Sequence, residues 1–218
     1  MENEVDGRRE IASRNTAWAN SIARKLTRWG ITPNQISMMS VFFALIGCLL
    51  LISTVIYPDF SKYVAYILFI VCMQSRLLCN LFDGMVAIEG GKKSANGDLY
   101  NDMPDRFADA LFIIPVGYVA GGVGIELGWL AALLAMMTAY FRWIGAYKTQ
   151  QHFFNGPMAK QHRMALLTFA FVVATCTLHW GHEQTVCLIT LIVMNIGLIA
   201  TLIHRLYLMS HTTNHEIK

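Results

Sequence analysis

The sequence predicts an all-α integral membrane protein with six transmembrane helices, an N-terminal amphipathic interfacial helix, and both termini in the cytoplasm. Its composition, its long apolar segments and its uneven distribution of basic residues lead to this fold class. Of the 218 residues, 55% are hydrophobic and 14% are charged, and the mean hydropathy is +0.44. These values lie outside ordinary soluble usage. Apolar segments are therefore compared with the roughly 20 residues that a helix needs to cross a bilayer.

Residues 1–34 are predicted to form a cytoplasmic segment that contains the amphipathic helix. Its large apolar side chains recur at helical spacing: Trp18, Ile22, Leu26 and Trp29. Its cations occupy another face: Arg24, Lys25 and Arg28. This pattern favours a helix that lies along the cytoplasmic interface with aromatic anchors among the lipid headgroups. Packing of the same stripe on a protein partner is the alternative. Pro33 then marks a helix start, where proline is tolerated.

Residues 35–210 are predicted to form the membrane domain, and residues 211–218 a cytoplasmic tail. The six apolar segments are 35–56, 63–87, 103–120, 127–147, 164–180 and 185–207. The third is the weakest because Pro104, Asp105 and Asp109 interrupt its start. Lys and Arg concentrate before the first segment, in the second and fourth loops and after the last segment, and such loops remain cytoplasmic. We expect a bacterial inner membrane with the functional site on its cytoplasmic side.

Polar residues on both sides of the second loop predict that site. Arg76, Asn80 and Asp83 share one helix face, since they follow at spacings of four and three. Charged residues inside a spanning helix are costly and normally face the bundle interior, which makes Arg76 and Asp83 functional candidates. The alternative for Arg76 is snorkelling, or a packing role beside a carboxylate. After the loop, acidic and amide side chains again recur at helical spacing: Asp98, Asn101, Asp102, Asp105 and Asp109.

Clustered oxygen ligands without nearby thiolate or imidazole select a hard cation such as magnesium, manganese or calcium. Two facing helices that carry such ligands can hold one or two ions, which would neutralise phosphate oxygens. Gly84 and Gly97 would allow a backbone or a nucleotide to approach closely. The five cysteines have no CxxC pair and are interpreted as buried small hydrophobes. Metal binding at His179, His182 and Glu183 is the less favoured interpretation, because that string lies in a short outer loop.

The spacing of these residues resembles the signature of the CDP-alcohol phosphotransferase family, D-x2-D-G-x2-A-R-x8-G-x3-D-x3-D. The matching residues are Asp83, Gly84, Ala87, Gly97 and Asp105, with every spacing preserved. Asn80 stands at the first aspartate, Ile88 at the arginine and Asn101 at the third aspartate. Six spans, the amphipathic helix and the proline at the start of the first span also resemble the family, so the likeness covers nearly the whole chain.

The resemblance implies transfer of a substituted phosphoryl group from a CDP-linked donor, such as CDP-diacylglycerol, to an alcohol, with release of CMP, in phospholipid biosynthesis. It implies Mg2+ or Mn2+ as cofactor. The implied metal ligands are Asn80, Asp83, Asn101 and Asp105, with Asp105 also the base. The implied nucleotide-binding residues are Asp83, Gly84, Ala87 and Gly97. A catalytically weakened or inactive member that binds a CDP-linked nucleotide or a lipid headgroup is the alternative, and a transporter is less favoured.

The departures from the signature remove two negative charges and one guanidinium. An asparagine oxygen is still a hard ligand but carries no charge, so metal affinity would fall in a partly dry site. The candidates to restore the charge are Glu89, Asp98, Asp102 and Asp109. Three cations near the fourth loop are candidates for binding the acceptor or a headgroup: Arg142, Lys160 and Arg163. Orientation by the positive-inside rule alone is the alternative for such loop cations. We expect membrane lipids but no nucleic acid as partners, and homodimers are common in families of this kind.

Overall fold

The computed structural model describes residues 16–57, 59–89, 97–149 and 156–216, and all regular structure within them is helical. The side chains at 89, 97–101, 149 and 213–216 lie outside the described part of the chain. The helices are α1 (Ala17–Arg28), α2 (Pro33–Ile56), α3 (Lys62–Glu89), α4 (Gly97–Ala120), α5 (Gly124–Thr149), α6 (Lys160–Thr177) and α7 (Glu183–Glu216). A short 3₁₀ turn, Leu178–Trp180, follows α6.

Five of these helices are long and apolar enough to cross a membrane, counted within the described residues: α2, α3, α5, α6 and α7. The predicted all-α membrane fold is confirmed to that extent. The fourth helix covers the third predicted span, but its first 13 residues include Asp102, Asp105, Arg106 and Asp109. These charges lower its hydropathy, which agrees with its being the weakest predicted span. The count of six spans and the orientation of the termini stay predictions.

The start of α2 is determined locally by its sequence. Thr32 is the N-cap, and its side chain accepts a hydrogen bond from the backbone N–H of Gln35 at 3.3 Å. The Gln35 side chain accepts one in return from the backbone N–H of Thr32 at 2.9 Å. This capping box satisfies two backbone donors that a helix start leaves without partners. Pro33, the first residue of the helix, needs no such partner.

The six long helices form a ring in which neighbours pack in the order α2, α3, α6, α7, α5, α4 and back to α2, and α4 also packs on α7 across the ring. Four aromatic rings from three of these helices meet in the core: Tyr66, Phe69, Phe112 and Phe171. The centroids of Phe69 and Phe171 are 4.4 Å apart. A Cβ added at Gly47 of α2 would lie 2.8 Å from the ring of Phe112, so a glycine lets α2 approach the rings.

Small residues bring α4 and α5 into close contact. A Cβ at Gly117 would lie 2.5 Å from the carbonyl oxygen of Gly124, and one at Gly128 would lie 3.0 Å from the Cα of Gly117. Because lipid is as apolar as a leucine side chain, membrane helices associate through this kind of backbone approach. The glycines therefore fix the separation of the two helices near the C-terminal end of α4. The acidic residues of α4 lie in its N-terminal part.

The amphipathic helix forms as α1 and packs beside α3. Its small residues Ala19 and Ala23 are fully buried, and Trp18 contacts Phe82 of α3 edge to face, with ring centroids 6.1 Å apart. By contrast, Trp29 is 70% exposed. The helix is thus attached to the bundle through its alanines, while part of the predicted apolar stripe stays accessible. Contact of that stripe with lipid stays a prediction.

Candidate functional site

The candidate site lies at one end of the ring, where the C-terminal end of α3 meets the start of α4 and the start of α6. The polar side chains at this end come from four of the helices: α2, α3, α4 and α6. Asp105 and Asp109 form a connected set of ion pairs, and Asp83 accepts a hydrogen bond from Ser37 close to them. The predicted convergence of the second and third spans is therefore present in the described residues, and α6 adds cations to it.

Asp83 of α3 is 2% exposed. Its Oδ2 accepts a hydrogen bond from the Ser37 hydroxyl of α2 at 3.0 Å. The charges of Asp105 and Lys160 are near enough to act on this carboxylate, but none of the described residues forms an ion pair with it. Asp83 is thus a buried carboxylate with a neutral hydrogen-bond donor, which leaves its charge available to a cation.

Asp105 of α4, by contrast, contacts a cation through each of its carboxylate oxygens. Nη2 of Arg76 donates to Oδ1 at 3.1 Å and to the backbone carbonyl of the same residue at 3.3 Å. Nζ of Lys160 donates to Oδ2. A carboxylate has about four lone-pair sites, so two remain for another donor such as a hydroxyl group.

Asp109, one turn further along α4, binds two buried guanidinium groups. Its Oδ1 accepts from Arg76 and its Oδ2 from Arg163, both at 2.7 Å. Arg76 is 0% exposed and Arg163 is 1% exposed, and Arg163 also donates to the carbonyl of Met158 at 3.0 Å. One of the two interpretations of Arg76 was pairing with a carboxylate. The structure agrees with it, since Arg76 pairs with both Asp105 and Asp109. Asp109 joins α3, α4 and α6 at the level of the site.

Asp102 belongs to a separate group of contacts between α4 and α5. It accepts hydrogen bonds from Arg106 at 2.7 Å, from Arg142 at 2.5 Å and from the Trp143 indole at 2.7 Å. Two guanidinium groups and one indole N–H thus surround this carboxylate. It borders a cleft of about 240 Å³ that Tyr140 also lines. Two predicted site residues, Asp102 and Arg142, therefore bind each other.

Asn80, at the position of the first aspartate of the signature, has a buried amide group without a partner. Neither its Oδ1 nor its Nδ2 has a hydrogen-bond partner in the described part of the chain. Such a group costs roughly 1–3 kcal/mol when it is left unpaired. It lies three residues before Asp83, which places both on one face of α3. An amide oxygen beside a carboxylate is a donor set that fits a hard cation.

The described residues suit a divalent metal ion only in part. In the part of the chain that the structure describes, no three His, Cys, Asp or Glu side chains gather as a metal site. Asp105 and Asp109 already contact cations of the protein. Of the described residues, Asn80 and Asp83 thus remain as the pair suited to a divalent ion, and their total charge is low.

Other predicted residues are placed less centrally or lie outside the described part. Gly84 is buried and Ala87 is half-buried on α3. Ile88, at the arginine position of the signature, is 55% exposed. The side chains of Glu89, Asp98 and Asn101 lie outside the described residues, and Gly97 is the first residue of α4. At the opposite end, Glu183 pairs with Lys62 at 2.9 Å.

Sequence reasoning missed three residues that support the site. Ser37 has no motif around it. Thr138 of α5 contacts Arg163 through its hydroxyl group at 3.5 Å and Arg205 through its carbonyl. Arg205 lies near the end of the last apolar segment and is buried, with 5% exposure. A lone arginine near the end of an apolar span was the one available signal.

Comparison with known proteins gives a match in fold. No protein-family model matches the chain, and no curated protein sequence matches it. A crystal structure of phosphatidylinositol phosphate synthase from Mycobacterium tuberculosis with CDP-DAG bound is similar, with a TM-score of 0.73 and 15% identity. The similarity covers 89% of this chain and 94% of that one.

A second crystal structure of the same enzyme, in complex with manganese and citrate, has a TM-score of 0.69 and 14% identity. It covers 89% of this chain and 88% of the enzyme. The fold that the family resemblance implied is thus confirmed over nearly the whole chain. At this level of identity the comparison concerns the fold alone.

Proposed function

We propose that the chain is a divalent-metal-dependent membrane transferase that moves a substituted phosphoryl group from a CDP-linked donor to an alcohol and releases CMP. CDP-diacylglycerol is the donor we favour. The observation that carries the proposal is the meeting of Asn80, Asp83 and Asp105 at one end of a bundle whose fold is shared by a synthase with CDP-DAG bound.

The residues have separate roles in this proposal. Asn80 and Asp83 would hold the divalent ion, with Asn101 as a further ligand. The ion would neutralise charge on the donor diphosphate. Gly84, Ala87 and Gly97 would border the nucleotide. Ser37 orients Asp83 through its hydroxyl group.

Asp105 would receive the proton of the acceptor hydroxyl group through one of its remaining lone-pair sites. The hydroxyl oxygen then forms a bond to the phosphorus that carries the lipid. The bond from that phosphorus to the bridging oxygen breaks, and CMP leaves with that oxygen. Arg76 holds Asp105 through both its carboxylate and its backbone carbonyl, so the base keeps its position. Lys160 has three donors, of which one contacts Asp105, and the others are available to an acceptor phosphate.

The membrane arrangement follows from the same proposal. We expect α4 to cross the membrane as well, which brings the number of spans to six. It is 24 residues long, and about 20 residues suffice. Its Asp105 and Asp109 contact α3 and α6 rather than lipid. The basic loops would lie in the cytoplasm, with the site at that side of a bacterial inner membrane. A homodimer is our expectation for the assembly.

The alternative is a protein that keeps the fold and binds a CDP-linked nucleotide or a lipid headgroup without turnover. Asn80 and the cations on both oxygens of Asp105 favour it. The test measures CMP release by the purified chain in proteoliposomes, with CDP-diacylglycerol and a panel of alcohols, before and after addition of Mg2+ or Mn2+. We expect metal-dependent release with one class of alcohol. Silence across the panel, together with measurable CDP-diacylglycerol binding, would support the alternative.

A second experiment tests Asp105 as the base. We expect Asp105→Asn to lower the rate of CMP release about 10²–10⁴-fold, the usual contribution of general base catalysis. Asp59→Asn is the matched control, because Asp59 is exposed at the opposite end of the bundle. A rate for Asp105→Asn equal to that of the control would remove this residue as the base.

A further inference from the structure

We propose that each chain binds a single divalent cation, at Asn80 and Asp83, and that the ammonium group of Lys160 takes the place of a second cation at Asp105. The inference rests on the proposed metal-dependent function and says how this chain supplies positive charge to its site. Two facing helices with hard oxygen ligands can hold one or two ions. The described contacts distinguish between these cases.

The side-chain charges in the described cluster sum to zero before any metal ion binds, but they are unevenly paired. Three carboxylates and three basic side chains take part: Asp83, Asp105, Asp109, Arg76, Lys160 and Arg163. Two of the carboxylates, Asp105 and Asp109, contact two cations each. Asp83 contacts a serine hydroxyl group instead. The negative charge that has no adjacent cation is therefore located on Asp83.

A metal ion at Asp105 would meet two positive charges of the protein. Its Oδ1 accepts from Arg76, which is fully buried and cannot withdraw into water, and its Oδ2 accepts from Lys160. Repulsion between like charges at this range is strong where water is excluded. Lys160, with a side chain 28% exposed, is the cation that a substitution can remove with the least disturbance of packing.

Asn80 and Asp83 of α3, by contrast, contact no cation of the protein among the described residues. The Asn80 amide group is buried without a partner among the described residues, and Asp83 lies one helical turn away on the same face. One neutral oxygen and one carboxylate provide a single negative charge. This set suits one divalent ion, with the donor diphosphate completing its charge balance.

The experiment counts Mn2+ bound per chain by electron paramagnetic resonance, using the full-length protein in detergent without substrate. We expect one Mn2+ for the wild type and two for Lys160→Met, because that variant frees Oδ2 of Asp105. Lys160→Gln is a second variant with the same expectation, and elution as a single species in gel filtration shows that each is folded. Lys148→Met is the matched control and is expected to keep one, since Lys148 is an exposed lysine near the end of α5.

Two Mn2+ per wild-type chain, or none, would overturn the inference. A count that stays at one in both folded Lys160 variants would overturn the role of the lysine. Asn80→Ala is expected to weaken Mn2+ binding at least tenfold, and unchanged binding would also contradict the proposal. The count requires no turnover. A chain that binds one Mn2+ but releases no CMP would therefore contradict the proposed activity and leave this inference standing.

Discussion

Replacing Asp109 by asparagine is expected to destabilise the protein strongly, because this carboxylate binds two buried guanidinium groups. Both contacts are 2.7 Å long, and the side chains of Arg76 and Arg163 are almost completely buried. Removing one partner of a buried pair costs about 3–5 kcal/mol. Each kcal/mol lowers the unfolding midpoint of a chain of this size by about 2–4 °C. Asp109→Asn should therefore lower the midpoint by roughly 10 °C.

Intrinsic tryptophan fluorescence during heating in detergent measures this midpoint. Asp59→Asn, the same chemical change at an exposed position, is the control and should shift the midpoint by no more than about 2 °C. A shift for Asp109→Asn as small as that of the control would refute the reasoning. The double variant with Arg163→Met should be more stable than the sum of the two single effects predicts, by about 1 kcal/mol or more. Strict additivity would show that the two side chains do not interact.

Three further predictions test separate parts of the structure. Ser37→Ala should cost about 2 kcal/mol in heat stability, because it removes a hydrogen bond to the buried carboxylate of Asp83; an unchanged midpoint would contradict that bond. Gly117→Ala should cost about 1–3 kcal/mol by overpacking and more than Gly47→Ala, because its Cβ would strike a backbone oxygen rather than a movable ring; the reverse order of midpoints would contradict the packing of α4 on α5. Ile88→Arg should change CMP release by no more than about twofold, since this position is exposed, and a large gain would mean that a guanidinium is needed there.

The helices could be predicted from the sequence because long apolar segments and Pro33 mark them. Their ends differ from the predicted spans for a physical reason. Hydropathy indicates the part of a helix that suits lipid, whereas backbone hydrogen bonds continue into the polar part. The helix α4 starts at Gly97 although the apolar segment starts at Met103, and α7 continues to Glu216, beyond the last apolar residue of its segment.

The positions of the site residues on each helix could be predicted from the sequence, but the contacts between helices could not. Spacing alone placed Asn80 and Asp83 on one face and singled out Asp105. The contacts of Lys160 with Asp105 and of Ser37 with Asp83 join residues 55 and 46 positions apart. Such contacts depend on which helix ends meet at the same end of the ring, and no local pattern indicates that. The order of the helices in the ring therefore determines which charged side chains meet in the site.

Mass spectrometry of the lipid product tests the proposed transfer most directly. The purified chain in proteoliposomes, given CDP-diacylglycerol, Mn2+ and the alcohol panel, should form a new phosphodiester lipid and CMP in equal amounts. Both should disappear when the alcohol is omitted. Formation of phosphatidic acid with CMP would show hydrolysis instead of transfer, and unchanged CDP-diacylglycerol in every reaction would contradict the proposed activity.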